Sequence, residues 1–144
     1  MAEQATQTTT ILATPERCFE VATDFERYPE WARDVKEAVV RERDDQGRAT
    51  LVEYRASALG RSTHYTLAYD YEGAPLRMTW SMVKGDIMRA IDGAYLFEPD
   101  DNGHTHVVYD LSVELVVPLP GFVKRRAEVR ILNTLKELKT RAES

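Results

Sequence analysis

Residues 77–97 read RMTWSMVKGDIMRAIDGAYLF, two runs of alternating pattern joined by one tight turn. Met78, Trp80 and Met82 occupy every second position before Gly85-Asp86, and Ile91, Gly93, Tyr95 and Phe97 do so after it. Alternation with a period of two puts each set on one face of a strand, and a Gly-Asp pair between two such runs marks a hairpin. A shift of one residue would turn all of these side chains to the opposite face, so the pattern specifies register as well as strands. Large apolar residues on one side only predict an antiparallel sheet with one buried face.

The same reading extends in both directions. Val35–Arg43 is followed by the turn cluster Asp44-Asp45-Gln46-Gly47. Ala49–Ser57 alternates through Val52, Tyr54 and Ala56, and Arg61–Tyr71 through Tyr65, Leu67, Tyr69 and Tyr71. After Asp100-Asp101-Asn102-Gly103, Val107, Tyr109, Leu111 and Val113 form the last alternating set. Six consecutive strands with short turns make a meander. A further strand, rich in β-branched residues, is expected over Gln7–Ala13. Thr14-Pro15 then opens a short helix to Ala22, with Thr14 as cap and Pro15 in the first turn. Thr23 to Glu26 fits a capping box for a second short helix, Phe25–Ala32, shortened by Pro29. From Phe122 to Ala142, the residues Ala127, Ile131, Leu135, Leu138 and Ala142 recur at spacings of three and four, one apolar stripe on a helix about 32 Å long. The expected architecture is α+β: strand, two short helices, six strands, long C-terminal helix.

A sheet of seven strands spans about 30 Å, whereas a helix is about 10–12 Å across. One helix covers such a sheet only if the sheet twists and curls around it. A gap left between them would be a pocket for a small molecule, mostly apolar with a few polar groups. The inward set proposed to line it is Tyr54, Tyr65, Leu67, Trp80, Met82, Met88, Ile91, Tyr95, Tyr109 and Leu111 from strands, with Val123, Ala127 and Ile131 from the helix. Buried tyrosine hydroxyls need partners, so a face this rich in tyrosine carries polar spots in a greasy cleft. Tyrosine also favours strands for its own sake, and complete packing of the gap is the competing reading.

Composition narrows the classes. The 144 residues carry a net charge of −5, with one cysteine, so neither a disulfide framework nor a Cys-rich zinc site is available. No apolar run approaches the ~18 residues of a membrane span, and the first ten residues lack a signal core. The chain is therefore expected to be soluble and cytoplasmic. Charge is uneven: residues 121–144 hold seven basic and three acidic side chains, leaving 12 basic and 21 acidic before them. An acidic body argues against nucleic acid as a partner. The basic tail, Lys124, Arg125, Arg126 and Arg130 foremost, leaves open a weak contact with anionic membranes beside the simpler reading of a solvated helix face. Nothing in the sequence bears on oligomeric state.

No residue pattern identifies a catalyst. The seven glycines form no phosphate-binding loop, no Gly-x-Ser-x-Gly occurs, and no cofactor is expected. His104 and His106 share a strand face but sit beside a hairpin tip, where exposed polar residues belong, so no metal site is assigned. His64 reads as a surface histidine, and Cys18 as a small buried hydrophobe. Glu53 and Arg55 alternate away from Val52 and Tyr54 and should face water. Unbroken parity would point Arg89 inward, where it could orient a ligand oxygen; a bulge after Gly85-Asp86 would turn it out, and the bulge is the preferred reading.

Four segments resemble a known family: Ala13-Thr14-Pro15-Glu16, Asp24-Phe25-Glu26-Arg27-Tyr28-Pro29-Glu30-Trp31, residues 85–95 (GDIMRAIDGAY) and residues 118–128 (PLPGFVKRRAE). Together they resemble the START-like superfamily, in the branch of polyketide cyclases/dehydrases and lipid transport proteins. The resemblance covers nearly the whole chain, and Asp-Phe-x-x-Tyr-Pro-x-Trp is its most specific piece. It implies a helix-grip fold, with residues 1–144 as one START-like domain whose sheet curves around the long helix and leaves a hydrophobic cavity. It also implies an apolar ligand, such as a lipid, an isoprenoid or a polyketide-like molecule. It transfers no catalytic residue. A non-catalytic binder or carrier, an aromatic polyketide cyclase/aromatase and a protein-interaction module all remain open, and the lack of an evident buried acid–base pair favours the first.

If the basic residues of the tail guide docking, the chain will bind anionic liposomes at low ionic strength and lose them as salt rises past about 0.1 M, where screening acts within ~10 Å. Sedimentation with vesicles across a salt series reads this directly, and no binding at low salt leaves the solvated-face reading standing.

Overall fold

The computed structural model describes residues 3–58, 61–115 and 134–144. Their order is β1 (Glu3–Ile11), α1 (Pro15–Thr23), a 3-10 helix (Phe25–Glu30), β2 (Val35–Arg43), β3 (Ala49–Ala58), β4 (Arg61–Asp70), β5 (Arg77–Gly85), β6 (Met88–Pro99) and β7 (Thr105–Leu115). Of the described C-terminal residues, 134–143 are helical and are labelled α2. The strands form one antiparallel sheet in the order β1-β7-β6-β5-β4-β3-β2, so the meander is closed at one edge by the N-terminal strand. Register breaks at Thr66/Leu67, Met88/Ala90 and three places along β2 bend the strands, and the sheet curves in the manner of a helix-grip fold.

The inward alternation is observed. Val52, Tyr54, Leu67, Met78, Trp80, Ile91, Tyr95, Phe97, Val107 and Tyr109 are all buried and join one core with Leu135, Leu138 and Ala142 of α2. The stripe of the C-terminal helix is thus seen at its last three members; Val123, Ala127 and Ile131 lie outside the described residues.

Three local expectations are corrected. The first strand is Glu3–Ile11 rather than Gln7–Ala13, because β7 pairs with it residue by residue from Glu3↔Val113 to Ile11↔Thr105. Thr23 does not cap the second helix: its hydroxyl donates to the Phe19 carbonyl at 2.7 Å, inside the last turn of α1, and the cap residue Asp24 makes no side-chain bond. The second helix is a 3-10 turn that stops at Glu30, one residue after Pro29. The first cap holds as read, with the Arg17 N–H donating to Thr14 Oγ1 at 3.2 Å and Pro15 in the first turn.

Gly93, an inward position of β6, is covered from the neighbouring strand. Trp80 stands opposite it across β5 and β6 and lays its indole on the glycine, so a Cβ there would meet Trp80 Cε2 and Cζ2 at 2.3 Å. The missing side chain is what lets the ring lie flat on the sheet. Gly93→Ala should therefore displace the indole and destabilise by about 1–3 kcal/mol, as overpacking does. Thermal melting followed by tryptophan emission tests this: Tm should drop by at least about 3 °C and the emission should shift.

Candidate ligand site on the inner face of the sheet

The two ends of the inner face are covered differently. At one end α2 is fastened down. Lys139 Nζ donates to the Thr10 carbonyl at 2.8 Å, Glu143 accepts from the Leu12 N–H at 2.8 Å, and Arg141 pairs with Glu30 at 2.9 Å. Glu137 likewise accepts from the Arg33 N–H at 2.8 Å. Under these ties Ile11, Cys18, Ala22, Phe97, Val107 and Leu138 are wholly buried. Burial pushes the Cys18 thiol up, which makes it an inert core side chain. Along the same strands toward the other end, Tyr65, Met82, Met88, Leu111 and Val113 are only half-buried although they share the inward face.

A continuous run of rings spans the face between these ends. Phe25, the fully buried first residue of the 3-10 helix, tilts against Tyr69 at 4.4 Å, and Tyr69 leads to Trp80 at 5.9 Å. Trp80 meets Tyr95 at 5.2 Å, and Tyr95 stacks on Tyr109 at 4.9 Å. Tyr28 and Trp31 of the Asp-Phe-x-x-Tyr-Pro-x-Trp segment pack at 4.8 Å, and Tyr28 donates to the Ala22 carbonyl. That segment therefore plugs the flank of the sheet with rings. The pattern of the strands alone did not assign these residues to the site.

The phenols divide by partner. Tyr54 and Tyr69 share one hydrogen bond at 2.6 Å, and Tyr71 donates to the Ala49 carbonyl at 2.5 Å. Burial raises all of these phenols: Tyr65 to about 12, helped by the Asp34 carboxylate, and Tyr54, Tyr69, Tyr95 and Tyr109 well above their ordinary value. For Tyr109 an interaction with Thr134 of α2 pulls weakly the other way. At neutral pH every inner phenol is uncharged and can donate a hydrogen bond. None is a ready base.

Of the site residues read from the sequence, Tyr54, Leu67, Trp80, Ile91, Tyr95 and Tyr109 lie buried on this face, and Tyr65, Met82, Met88 and Leu111 line its open end. Inward polar side chains were missed, among them Thr63, Thr105 and Gln7. Gln7 stands directly opposite Tyr109 and so shares its face, and its Oε1 is sealed from solvent with no donor among the described residues. The alternation of Ala5, Gln7, Thr9 and Ile11 in β1 carried that signal, hidden by its polar members. Arg89 points out, as the bulge reading expected: the register breaks between Met88 and Ala90, and its guanidinium lies 3.4 Å from Glu114. Glu53 pairs with Arg41, and Arg55 lies 4.0 Å from Glu37. Among the described residues no His, Cys, Asp and Glu gather into a possible metal site.

A separate groove of about 320 Å³ lies between α1, the 3-10 helix and α2, lined by Arg17, Arg27, Arg141, Glu20, Asp24 and Trp31. Each guanidinium there already faces a carboxylate, Arg17 with Glu20 at 2.9 Å, Arg27 with Asp24 at 3.4 Å and Arg141 with Glu30 at 2.9 Å. Its charges cancel, and it offers an anion nothing the carboxylates do not already hold.

The sequence pattern of the family described as polyketide cyclase / dehydrase and lipid transport matches residues 2–143. The chain belongs to this family. A START superfamily protein from Mycobacterium smegmatis is similar at 26% identity and a TM-score of 0.88, over 97% of each chain. A protein of Thermus thermophilus is 23% identical, with a TM-score of 0.80 over 96% of each chain. An aromatase/cyclase from Streptomyces superposes with a TM-score of 0.81 at 14% identity, over 99% of this chain and 94% of its own, a likeness of fold alone. No curated protein matches the sequence. Among the described residues no helix of this family member is long and apolar enough to cross a membrane.

The open end has its own fastener. Asp86, in the β5–β6 turn, accepts from Thr63 Oγ1 at 2.5 Å, the Ile87 N–H at 2.5 Å and the His64 N–H at 2.9 Å. The Thr63 hydroxyl foremost holds its carboxyl at about 2, below the usual 3.8. A carboxyl depressed on folding stabilises fully above its unfolded value and loses that contribution as pH falls through the folded one. Thermal melts at a series of pH values should show Tm falling between pH 3.8 and about 2. Asp86→Asn should lower Tm at neutral pH and flatten that part of the profile.

Proposed function

We propose that the protein binds a small, largely apolar molecule between the inner face of the sheet and the C-terminal helix, with residues 1–144 acting as one ligand-binding domain. The observation that carries this reading is the gradient of cover along the inner face. Its fastened end is packed like any core, while Tyr65, Met82, Met88, Leu111 and Val113 keep part of their apolar surface uncovered at the other. An uncovered apolar surface backed by aromatic rings favours a hydrocarbon or ring system, and methionines adapt to its shape. Tyr54, Tyr65, Leu67, Trp80, Met82, Met88, Ile91, Tyr95, Tyr109 and Leu111 are the residues proposed to meet the ligand. Val123, Ala127 and Ile131 belong to the same proposal from the sequence stripe. The family's span of cyclases and lipid transporters supports the class of ligand.

Binding or transport is preferred over catalysis because of the phenols. A cyclase acting on a poly-β-ketone must take up protons as well as give them, and the neutral tyrosines here only donate. Among the described residues the carboxylates that act on these phenols are Asp34, on Tyr65, and Asp44, on Tyr71, and each raises its phenol further.

A pair of variants separates a roomy end from a packed one. Leu111→Trp, at the open end, should cost less than about 1 kcal/mol and weaken a fluorescent apolar probe at least about tenfold, since the added bulk takes the ligand's space. Val107→Phe, at the fastened end, should cost about 1–3 kcal/mol by overpacking and leave probe affinity nearly unchanged in the folded protein. Equal destabilisation by both, with no probe binding to the parent protein, would mean that the helix fills the sheet and the ligand reading fails.

A further inference from the structure

Gln7 is the anomaly of the inner face. Its inward neighbours on β1 are Ala5, Thr9 and Ile11, and across the strand pair it meets Tyr109 within the run of rings. The carboxamide oxygen is shut off from water, and among the described residues no donor reaches it. A buried acceptor without a donor loses its hydration and gets nothing back, so such groups are rare in folded chains. Inward tyrosines resolve this cost within the protein, Tyr71 on the Ala49 carbonyl and Tyr54 on Tyr69. Gln7 does not. A glutamine with three side-chain torsions can reach a group beside it by a change of rotamer, which a shorter side chain cannot.

We propose that Gln7 is the polar anchor of this site and selects a ligand that carries a hydroxyl, an alcohol or phenol on an otherwise apolar body. The inference rests on the inner face being the ligand site. A carboxamide presents a donor and an acceptor, and a hydroxyl is the small group that can answer either. A pure hydrocarbon answers neither and leaves the orphan in place. Placement beside Tyr109 puts the hydroxyl at the β1 edge of the ring row, with the apolar body over Trp80 and Tyr95 toward the open end. Gln7 is a specificity residue in this scheme and takes no part in any bond-making step.

The test uses the full chain and two probes, 2-naphthol and naphthalene, which share a ring system and differ by one hydroxyl. Affinities are read by displacement of a fluorescent apolar dye. The parent protein should prefer 2-naphthol by about tenfold, the scale of one well-made buried hydrogen bond. Gln7→Met, of nearly equal length, should erase that preference while keeping naphthalene affinity within about twofold, and its Tm should match or exceed that of the parent. Gln7→Leu provides the same comparison if methionine repacks. No preference in the parent, or a preference that survives both substitutions, overturns the proposal while leaving the ligand site standing. Failure of both probes to bind overturns the site reading and the proposal with it. A Tm loss beyond about 3 °C in both variants would mark Gln7 as a structural residue and also overturn it.

Discussion

The width of the sheet governs everything else in this molecule. Seven strands at about 4.8 Å spacing cannot be covered by one helix about 10–12 Å across, however well its stripe is formed. The chain answers with curvature, which the register breaks of β2, β4 and β6 supply, and with bulk, which the aromatic residues supply. The rings from Phe25 to Tyr109 reach further from the backbone than aliphatic side chains would, and they tilt or stack on one another at 4.4–5.9 Å. Even this works only locally. Trp80 lies low because Gly93 offers it a bare backbone, and a side chain at that position would lift the whole row.

The same geometry forces a polar accounting. Aromatic bulk from tyrosine brings a hydroxyl with every ring, and each must be bonded or left in contact with something else. At Tyr54, Tyr69 and Tyr71 the protein settles the matter with its own groups. At Gln7 it does not: among the described residues no donor reaches its Oε1. Burial keeps the phenols neutral, so the site offers hydrogen bonds without offering charge.

Much of this was legible in the residues because alternation reports on faces directly. Six strands, their inward sets and the outward turn of Arg89 follow from a period of two interrupted at Gly85-Asp86, and the helix stripe follows from spacings of three and four. β1 was misplaced because its inward members, Ala5, Gln7 and Thr9, do not stand out as apolar; only pairing with β7 sets its limits. Thr23 satisfied a capping pattern yet used its hydroxyl on the preceding turn, a choice between two nearby partners that spacing does not decide. Gly93 had the right face and the wrong surroundings, since the ring that covers it comes from another strand. Residues whose role depends on a neighbour across the sheet are the ones a linear pattern hides.

Carriers and cyclases share this frame, so neither family membership nor fold separates them. What distinguishes them must lie in a few polar groups on an otherwise interchangeable apolar surface. A catalytic version would require a proton acceptor whose affinity for protons lies near neutrality, held beside the reacting carbon. The described inner face moves the other way: its titratable groups are phenols driven upward by burial, and its one sealed acceptor is an uncharged carboxamide. A carboxamide can orient a hydroxyl but cannot take its proton, because its oxygen is far too weak a base. The polar groups that decide function here are therefore suited to recognising an oxygen atom and leaving it unchanged.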